Sequence, residues 1–504
     1  MDGLSGTIGL ITSSLDADYT RRLIAGATEV LSANGLSSLC FSPGASGTTE
    51  YEMPLGFLDL VDPRYLSGVV FSPPSIEHVD FANPKSESSE PAAAPDRYDT
   101  KRFLQRIGDL PTVCVGAGID GTTSVFIKNR DGIRMLMKHL TEACGRHRIA
   151  FIRGSEHNVE AKSRFLAWED FCFERSLPHG DELVEFGDFT VLSGESATLR
   201  ILEKCSGDLP DAFVVSSDRM ALGVLRALRA KSLSVPADVS VVGFDDLEAE
   251  SANPPLTTIR QPIFEMGRRA AEVLTAKLRK ESIAEEHIYT PELVVRASSH
   301  PNPQSLPCGP PSSWSSSVFL ESASLESLMP LLREPQRDAS LGDPLARELE
   351  TGLHDARTKA RDPVGGVRGT RVFAVQHLDG ALTRVKSLQE MHGIVRSYLR
   401  LVGLESLTAA LLHDQTESPN SARLVIDCSL TEVASLGKLG AHLVGAQMLA
   451  AHSQRTRGLP SVVEPLYHEG KYRGFMVASG TLLDNPVLHQ LGAVLTRAAI
   501  SVGK

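Results

Sequence analysis

Short apolar runs alternate with stretches of helical spacing over residues 5–298. TIGLITS (7–13) reads as a strand, and TRRLIAGATEVLSANG (20–35) as a helix that stops at Gly35. SSLCFSP (37–43), SGVVFSP (67–73) and PTVCVGA (111–117) read as further strands. DGIRMLMKHLTEAC (131–144) and AKSRFLAWEDFCFERSL (161–177) read as helices on either side of the strand HRIAFIRG (147–154). The alternation repeats in DAFVVSSD (211–218), MALGVLRALRAKSL (220–233) and VSVVGFDD (239–246). Apolar strands separated by helices predict βαβ units, an α/β fold with parallel sheets covered on both faces. So many units exceed one compact core, so two lobes are expected. The cleft at the carboxyl ends of their strands is where such sheets bind ligands.

The pattern breaks in two places. Residues 74–100 are rich in Pro, Ser, Ala and acidic residues without a period, and read as a surface loop inserted in the first lobe. Residues 299–317 are dominated by Pro and Ser and read as a linker. A mostly helical connector is expected over 318–403, where Leu378, Leu382, Val385, Leu388, Val395 and Leu399 mark an amphipathic helix over 376–403. Such a helix could pair with its copy in a dimer or pack on its own domain. In 404–504, SLTAALLHD and ARLVIDCSL read as strands, and SVVEPLYHEGKYRGFMVASG as a hairpin turning at His468–Lys471. A closing helix, PVLHQLGAVLTRAAISVG, completes a small α+β domain.

Composition narrows the class. The formal net charge of -11 disfavours non-specific binding to nucleic acid. The cysteines at 40, 114, 144, 172, 205, 308 and 428 show no CxxC spacing, so reduced thiols in a cytoplasmic protein are expected, without a disulfide framework or a zinc site. MDGLSGTIGLITSS offers no basic, apolar leader, and no apolar stretch is long enough for a membrane span. There is no GxxxxGK[ST], GxSxG or HExxH run. His413-Asp414 is too small a group for a metal site. Neither an enzyme nor a cofactor is expected.

Several blocks in order carry a resemblance. TRRLIAGATEVLSANG, FIKNRDGIRMLMKHL, HRIAFIRG with AKSRFLAWEDF, VVSSDRMALGVLRAL, VPADVSVVGFDDLE, PPLTTIRQP and PELVVRASS resemble the effector-binding domain of the lac/galactose repressor family across nearly all of 5–298. The resemblance implies a periplasmic-binding-protein-like fold of two lobes, with crossings near 127–131, 245–262 and 285–293. It implies effector contacts at Arg164, Asp245 and Asp131. Arg164 would supply a forked donor and Asp245 an acceptor at a strand end. Asn129 and Gln261 fall at the crossings, and Ser217 and Asp218 at the end of a strand, although Asp218 also suits a helix cap. Trp168 suits either core or a stacking platform, and Tyr19 either the cleft or an exposed loop. Asp246 reads as structural. Lys128 and Ser217-Asp218 depart from the family's usual residues, which argues against an ordinary hexose.

VVEPLYHEGKYRGFMVAS with the final helix is similar to the last strands of a GAF-like domain. No helix-turn-helix is apparent at the start of the chain. The expected function is a cytoplasmic, homodimeric ligand sensor that binds a small polar molecule, sugar-like or nucleoside-like, between its lobes. The signal would leave through the GAF-like region to a protein partner, with no membrane involved. Two alternatives stay open. One is a regulator that touches DNA by an unrecognised element or a partner, for which Arg368–Arg371 and Arg396–Arg400 are locally basic. The other is a solute-binding protein of a transporter.

Overall fold

The β-branched and aromatic runs assemble into two sheets in the computed structural model. It describes residues 4–12, 18–42, 57–73, 100–299 (except 120, 156 and 157), 363–412 (except 384, 400 and 401), 422–429, 442–443, 445–456, 461–468, 471–480 and 485–502. The proposed insertion at 74–99, most of the linker and the start of the connector, and His413-Asp414 lie outside these residues.

The first lobe is a parallel sheet of β1 (Thr7–Ile11), β2 (Ser37–Phe41), β3 (Gly68–Phe71), β4 (Thr112–Val115), β5 (Thr123–Ile127) and β11 (Glu286–Tyr289), in the order β11-β5-β4-β3-β1-β2. Helices α1 (Asp18–Ala33) and α7 (Ile263–Leu278) cover one face, and α2 (Thr100–Ile107) covers the other. The second lobe has the order β12-β10-β9-β8-β6-β7. Its strands are β6 (Ile149–Arg153), β7 (Val184–Phe186), β8 (Ala212–Val215), β9 (Ser240–Asp245), β10 (Thr257–Arg260) and β12 (Glu292–Val294), and only β12 runs antiparallel to its neighbour. Helices α3 (Asn129–Lys138) and α4 (Val159–Glu174) pack on one face, α5 (Val191–Lys204) and α6 (Asp218–Ala230) on the other. Local signals fix the helix starts. Asn158 caps α4 through the Ala161 N–H at 2.9 Å, and Thr190 caps α5 through the Ser193 N–H at 3.1 Å.

The chain passes between lobes at β5 to α3, β10 to α7 and β11 to β12. The middle passage follows Arg260 and is shorter than the sequence suggests, because β9 and β10 pair with each other inside the second lobe.

The C-terminal segment departs most from expectation. Strands β13 (Ser406–Leu412), β14 (Ala422–Ser429), β15 (His442–Leu443), β16 (Ser461–His468) and β17 (Lys471–Ser479) do not stand apart as a small domain. They extend the first lobe into one eleven-stranded sheet, continuing β2-β16-β17-β13-β14-β15. The junction is parallel, with Ser461, Val462 and Val463 opposite Leu39, Cys40 and Phe41. Beyond it the pairing is antiparallel, and β16–β17 is the hairpin read from the sequence.

Helices α8 (Pro363–Leu382), α9 (Leu388–Tyr398) and α11 (Asn485–Val502) continue the layer formed by α1 and α7. Helix α10 (Gly445–Arg455) covers the opposite face and reaches β1 through Thr7 Oγ1–Ser453 Oγ at 3.0 Å. The amphipathic stretch 376–403 is two helices, because Ser387 caps α9 by accepting the Glu390 N–H at 3.1 Å. No helix among the described residues is long and apolar enough to cross a membrane.

Candidate functional site between the lobes

Arg164 is the centre of a buried polar cluster on the second lobe. It lies on α4, one turn after Glu160, so both side chains share a helix face. Its Nε donates to Asn129 Oδ1 at 2.7 Å and its Nη1 to the Ser216 carbonyl at 2.6 Å. The guanidinium lies over the Phe244 ring, 3.8 Å from its centroid. Two carboxylates flank it at 3.7 Å, Glu160 Oε1 from Nη2 and Asp245 Oδ1 from Nη1. These separations are wider than a direct hydrogen bond and leave the carboxylates acceptor capacity for another group.

Asn129 opens α3 at the first passage, and its Nδ2 points to Glu160 Oε1 at 3.4 Å. Gln261, at the second passage, donates from Nε2 to Asp245 Oδ1 at 2.5 Å. Its Oε1 is buried without a hydrogen-bond partner. Asp245 ends β9 with φ +115°, a backbone region costly for a residue with a side chain.

The first lobe closes over this cluster. Tyr19, in the first turn of α1, is partly buried and faces the charges of Glu160, Asp245 and Arg164. Gly116, just after β4, has φ +101°, and a Cβ there would sit 2.7 Å from Glu160 Oε2. A side chain at that position would force the Glu160 carboxylate to shift. Burial pushes the Asp245 carboxyl up to about 7, against the pull of Arg164 and of the Gln261 hydrogen bond. Burial also raises Glu160, with Arg164 and Asn129 opposing, and raises Tyr19.

The other residues expected at the site have the following surroundings. Ser217, not Asp218, caps α6, accepting the Met220 N–H at 3.4 Å. Asp218 is buried and ties strands together, accepting from Thr258 Oγ1 at 2.6 Å and the Leu247 N–H at 2.8 Å. Trp168 is fully buried against Phe165 and Phe151, a core residue and not a stacking platform. Asp131 is exposed in the first turn of α3, its charge acting on Arg134, and the buried cluster is built without it. Asp246 is held by Arg260 and Arg296, each at 2.7 Å. Sequence reasoning missed Glu160, although its spacing of four from Arg164 was a usable signal. It also missed Gly116, for which only the closed lobes give one. The six cysteines among the described residues are free, and all but Cys144 are buried.

The chain as a whole has known relatives. A family model described as a periplasmic binding protein-like domain matches residues 137–299. The lactose operon repressor of Escherichia coli (strain K12) is 33% identical over 174 residues, which are 34% of this chain and 47% of that protein. An uncharacterized HTH-type transcriptional regulator of Streptomyces limosus is 30% identical over 302 residues, 58% of this chain and 79% of that protein. The chain belongs to the lac/galactose repressor family. Within the family, the transcriptional repressor PurR of Haemophilus influenzae (strain PittEE) is 32% identical over 206 residues, 40% of this chain and 60% of that protein. Among solved structures, a CelR–cellobiose complex covers 58% of this chain and 84% of its own at 27% identity, with a TM-score of 0.47. A lac repressor dimer bound to operator and an anti-inducer covers 59% and 94% at 25% identity, with a TM-score of 0.48. The family's effector domain accounts for both lobes, and residues 363–504 extend beyond it.

Proposed function

We propose that this family member is a cytoplasmic ligand-sensing regulator that closes its lobes on a small polar effector. The effector would sit among Arg164, Asp245, Asn129, Glu160, Gln261 and Tyr19. The observation that carries this reading is the Arg164 cluster, a buried guanidinium clamped by Asn129 and Ser216 with two carboxylates 3.7 Å away. Relatives named for transcriptional regulation, and a related structure named for cellobiose, support a sugar-like or nucleoside-like ligand. A homodimer is part of the same reading, since a related lac repressor is a dimer.

We read the C-terminal segment as a GAF-like output module. Its antiparallel order β14-β13-β17-β16, with helices packed on both faces, supports that reading. The signal would pass through the β2–β16 junction, because a ligand that moves the first lobe must carry strands hydrogen-bonded to it. Direct DNA reading by Arg368–Arg371 is disfavoured. Arg371 is buried, and donates to the Val402 carbonyl at 2.9 and 2.7 Å.

A thermal-shift screen of sugars and nucleosides on the full chain tests the site. A stabiliser is expected whose effect disappears in Arg164→Ala and in Asp245→Ala. Variants that respond like the unaltered chain would sink the assignment.

A further inference from the structure

The interlobe site has an imbalance that a neutral sugar does not answer. Glu160 and Asp245 both face Arg164, so with both ionised the cluster carries a negative charge in excess. The groups turned toward Glu160 are Arg164 on its own helix, Asn129 from α3, Asp245 from β9, Tyr19 from α1 and the Cys114 thiol from β4. Arg164 is the cation in that set. Two of its five N–H donors are taken, Nε by Asn129 and Nη1 by Ser216, while Nη2 lies 3.7 Å from Glu160.

The unsatisfied capacity is also of one kind. Gln261 is 4% exposed, its amide N–H is given to Asp245, and its Oε1 has no partner. Carboxylates accept and do not donate when ionised. The site therefore has more acceptor capacity than positive charge, among largely buried side chains where charge is costly to leave uncompensated.

We propose that the effector is a protonated amine, an amino sugar or a comparable polyhydroxy amine, whose ammonium group lies between Glu160 and Asp245. This rests on the cleft reading above and sharpens it. Three ammonium N–H donors would meet the two carboxylates and the Gln261 Oε1, and Arg164 would keep its present partners. Gly116 fits the same picture, because its missing side chain lets the first lobe close directly onto Glu160.

A charged ligand leaves a signature in pH. Burial holds Asp245 at about 7 and raises Glu160, and Asp218 from α6, buried beside Asp245, is raised as well, so the site is partly protonated near neutrality. An ammonium group must displace those protons. Its affinity is therefore expected to rise as pH increases toward about 7 and to fall again once the amine loses its own proton, while a neutral ligand gains nothing from ionisation of the site.

The test is calorimetric titration of the full-length protein with glucosamine, N-acetylglucosamine and glucose. The acetylated form keeps an N–H donor and loses the charge. Galactosamine and mannosamine cover other hydroxyl arrangements. At least one free amine is expected to bind tenfold or more tightly than its neutral parent and acetylated form, and more tightly at about pH 7 than at about pH 5.5, a range in which the amine stays mostly protonated. Glu160→Gln is expected to collapse that ratio toward one, and Asp245→Asn, a second near-isosteric change, to reduce it. The amine assignment is overturned if a neutral sugar binds as well as its amine, if the preference survives Glu160→Gln, or if no free amine binds at millimolar concentration. The cleft reading fails separately. It falls if binding of whichever sugar is active persists in Arg164→Ala, while a neutral sugar that binds and is lost in Arg164→Ala overturns the amine assignment alone.

Discussion

Asp245 concentrates the tension of the site in one side chain. It sits at a strand end with a positive φ, receives the Gln261 amide, and faces both Arg164 and Glu160. Its carboxyl is raised in the folded protein above its ordinary unfolded value. A raised carboxylate contributes stability that is fully present below the unfolded value, near pH 4, and is lost as pH rises through about 7. Asp245→Asn removes this loss. The variant is expected to melt higher than the unaltered chain above pH 7, with a flatter dependence between pH 4 and 7, by differential scanning fluorimetry across buffers. A steeper decline in the variant would contradict the assignment of that titration to Asp245. The residue types at this site were legible in the sequence because strand ends and passages between lobes could be located. What each polar group does was less legible. Ser217, Asp218 and Asp245 are all polar residues at strand ends, yet one caps a helix, one ties strands, and one faces the cleft.

Helix α1 meets α7 through an approach only glycine permits. A Cβ on Gly26 would lie 2.0 Å from the Phe264 carbonyl oxygen, and one on Gly267 would lie 2.0 Å from the Leu23 carbonyl oxygen. The obstacle is backbone on both sides, so no rotamer change relieves it. Gly26→Ala is expected to cost about 1–3 kcal/mol in urea unfolding, as overpacking usually does. A loss smaller than the error of that experiment would mean that the two helices can separate freely. The sequence does not mark either glycine: TRRLIAGATEVLSANG reads simply as a helix that stops at Gly35, and no helix is read around Gly267. Periodicity reports which face is buried, and the distance to the partner helix is not encoded in it.

At the scale of the molecule, the first lobe and the C-terminal strands share one sheet and unbroken apolar layers on both faces. Leu39 and Phe41 of β2 pack in one cluster with Val463, Phe475 and Met448. Ending the chain at residue 299 would strip β2 of its neighbour and uncover that surface. An unpaired apolar edge promotes association. The truncated protein is therefore expected to aggregate or to melt well below the full chain, by light scattering and calorimetry. A soluble truncation with an unchanged melting temperature would mean that the junction contributes nothing. The alternation of apolar strands and helices by itself determined the α/β class and the expectation of two lobes, because period and spacing are local properties of the chain. The effector-domain reading and the choice of Arg164 and Asp245 came from the resemblance of its ordered blocks to a known family. Only the tertiary structure decided that β16 pairs with β2, that Glu160 joins the site, and that Trp168 and Asp218 belong to the interior. Those outcomes depend on contacts between segments far apart in sequence, and hydrogen-bonding edges and buried charges choose their partners only when the chain has folded.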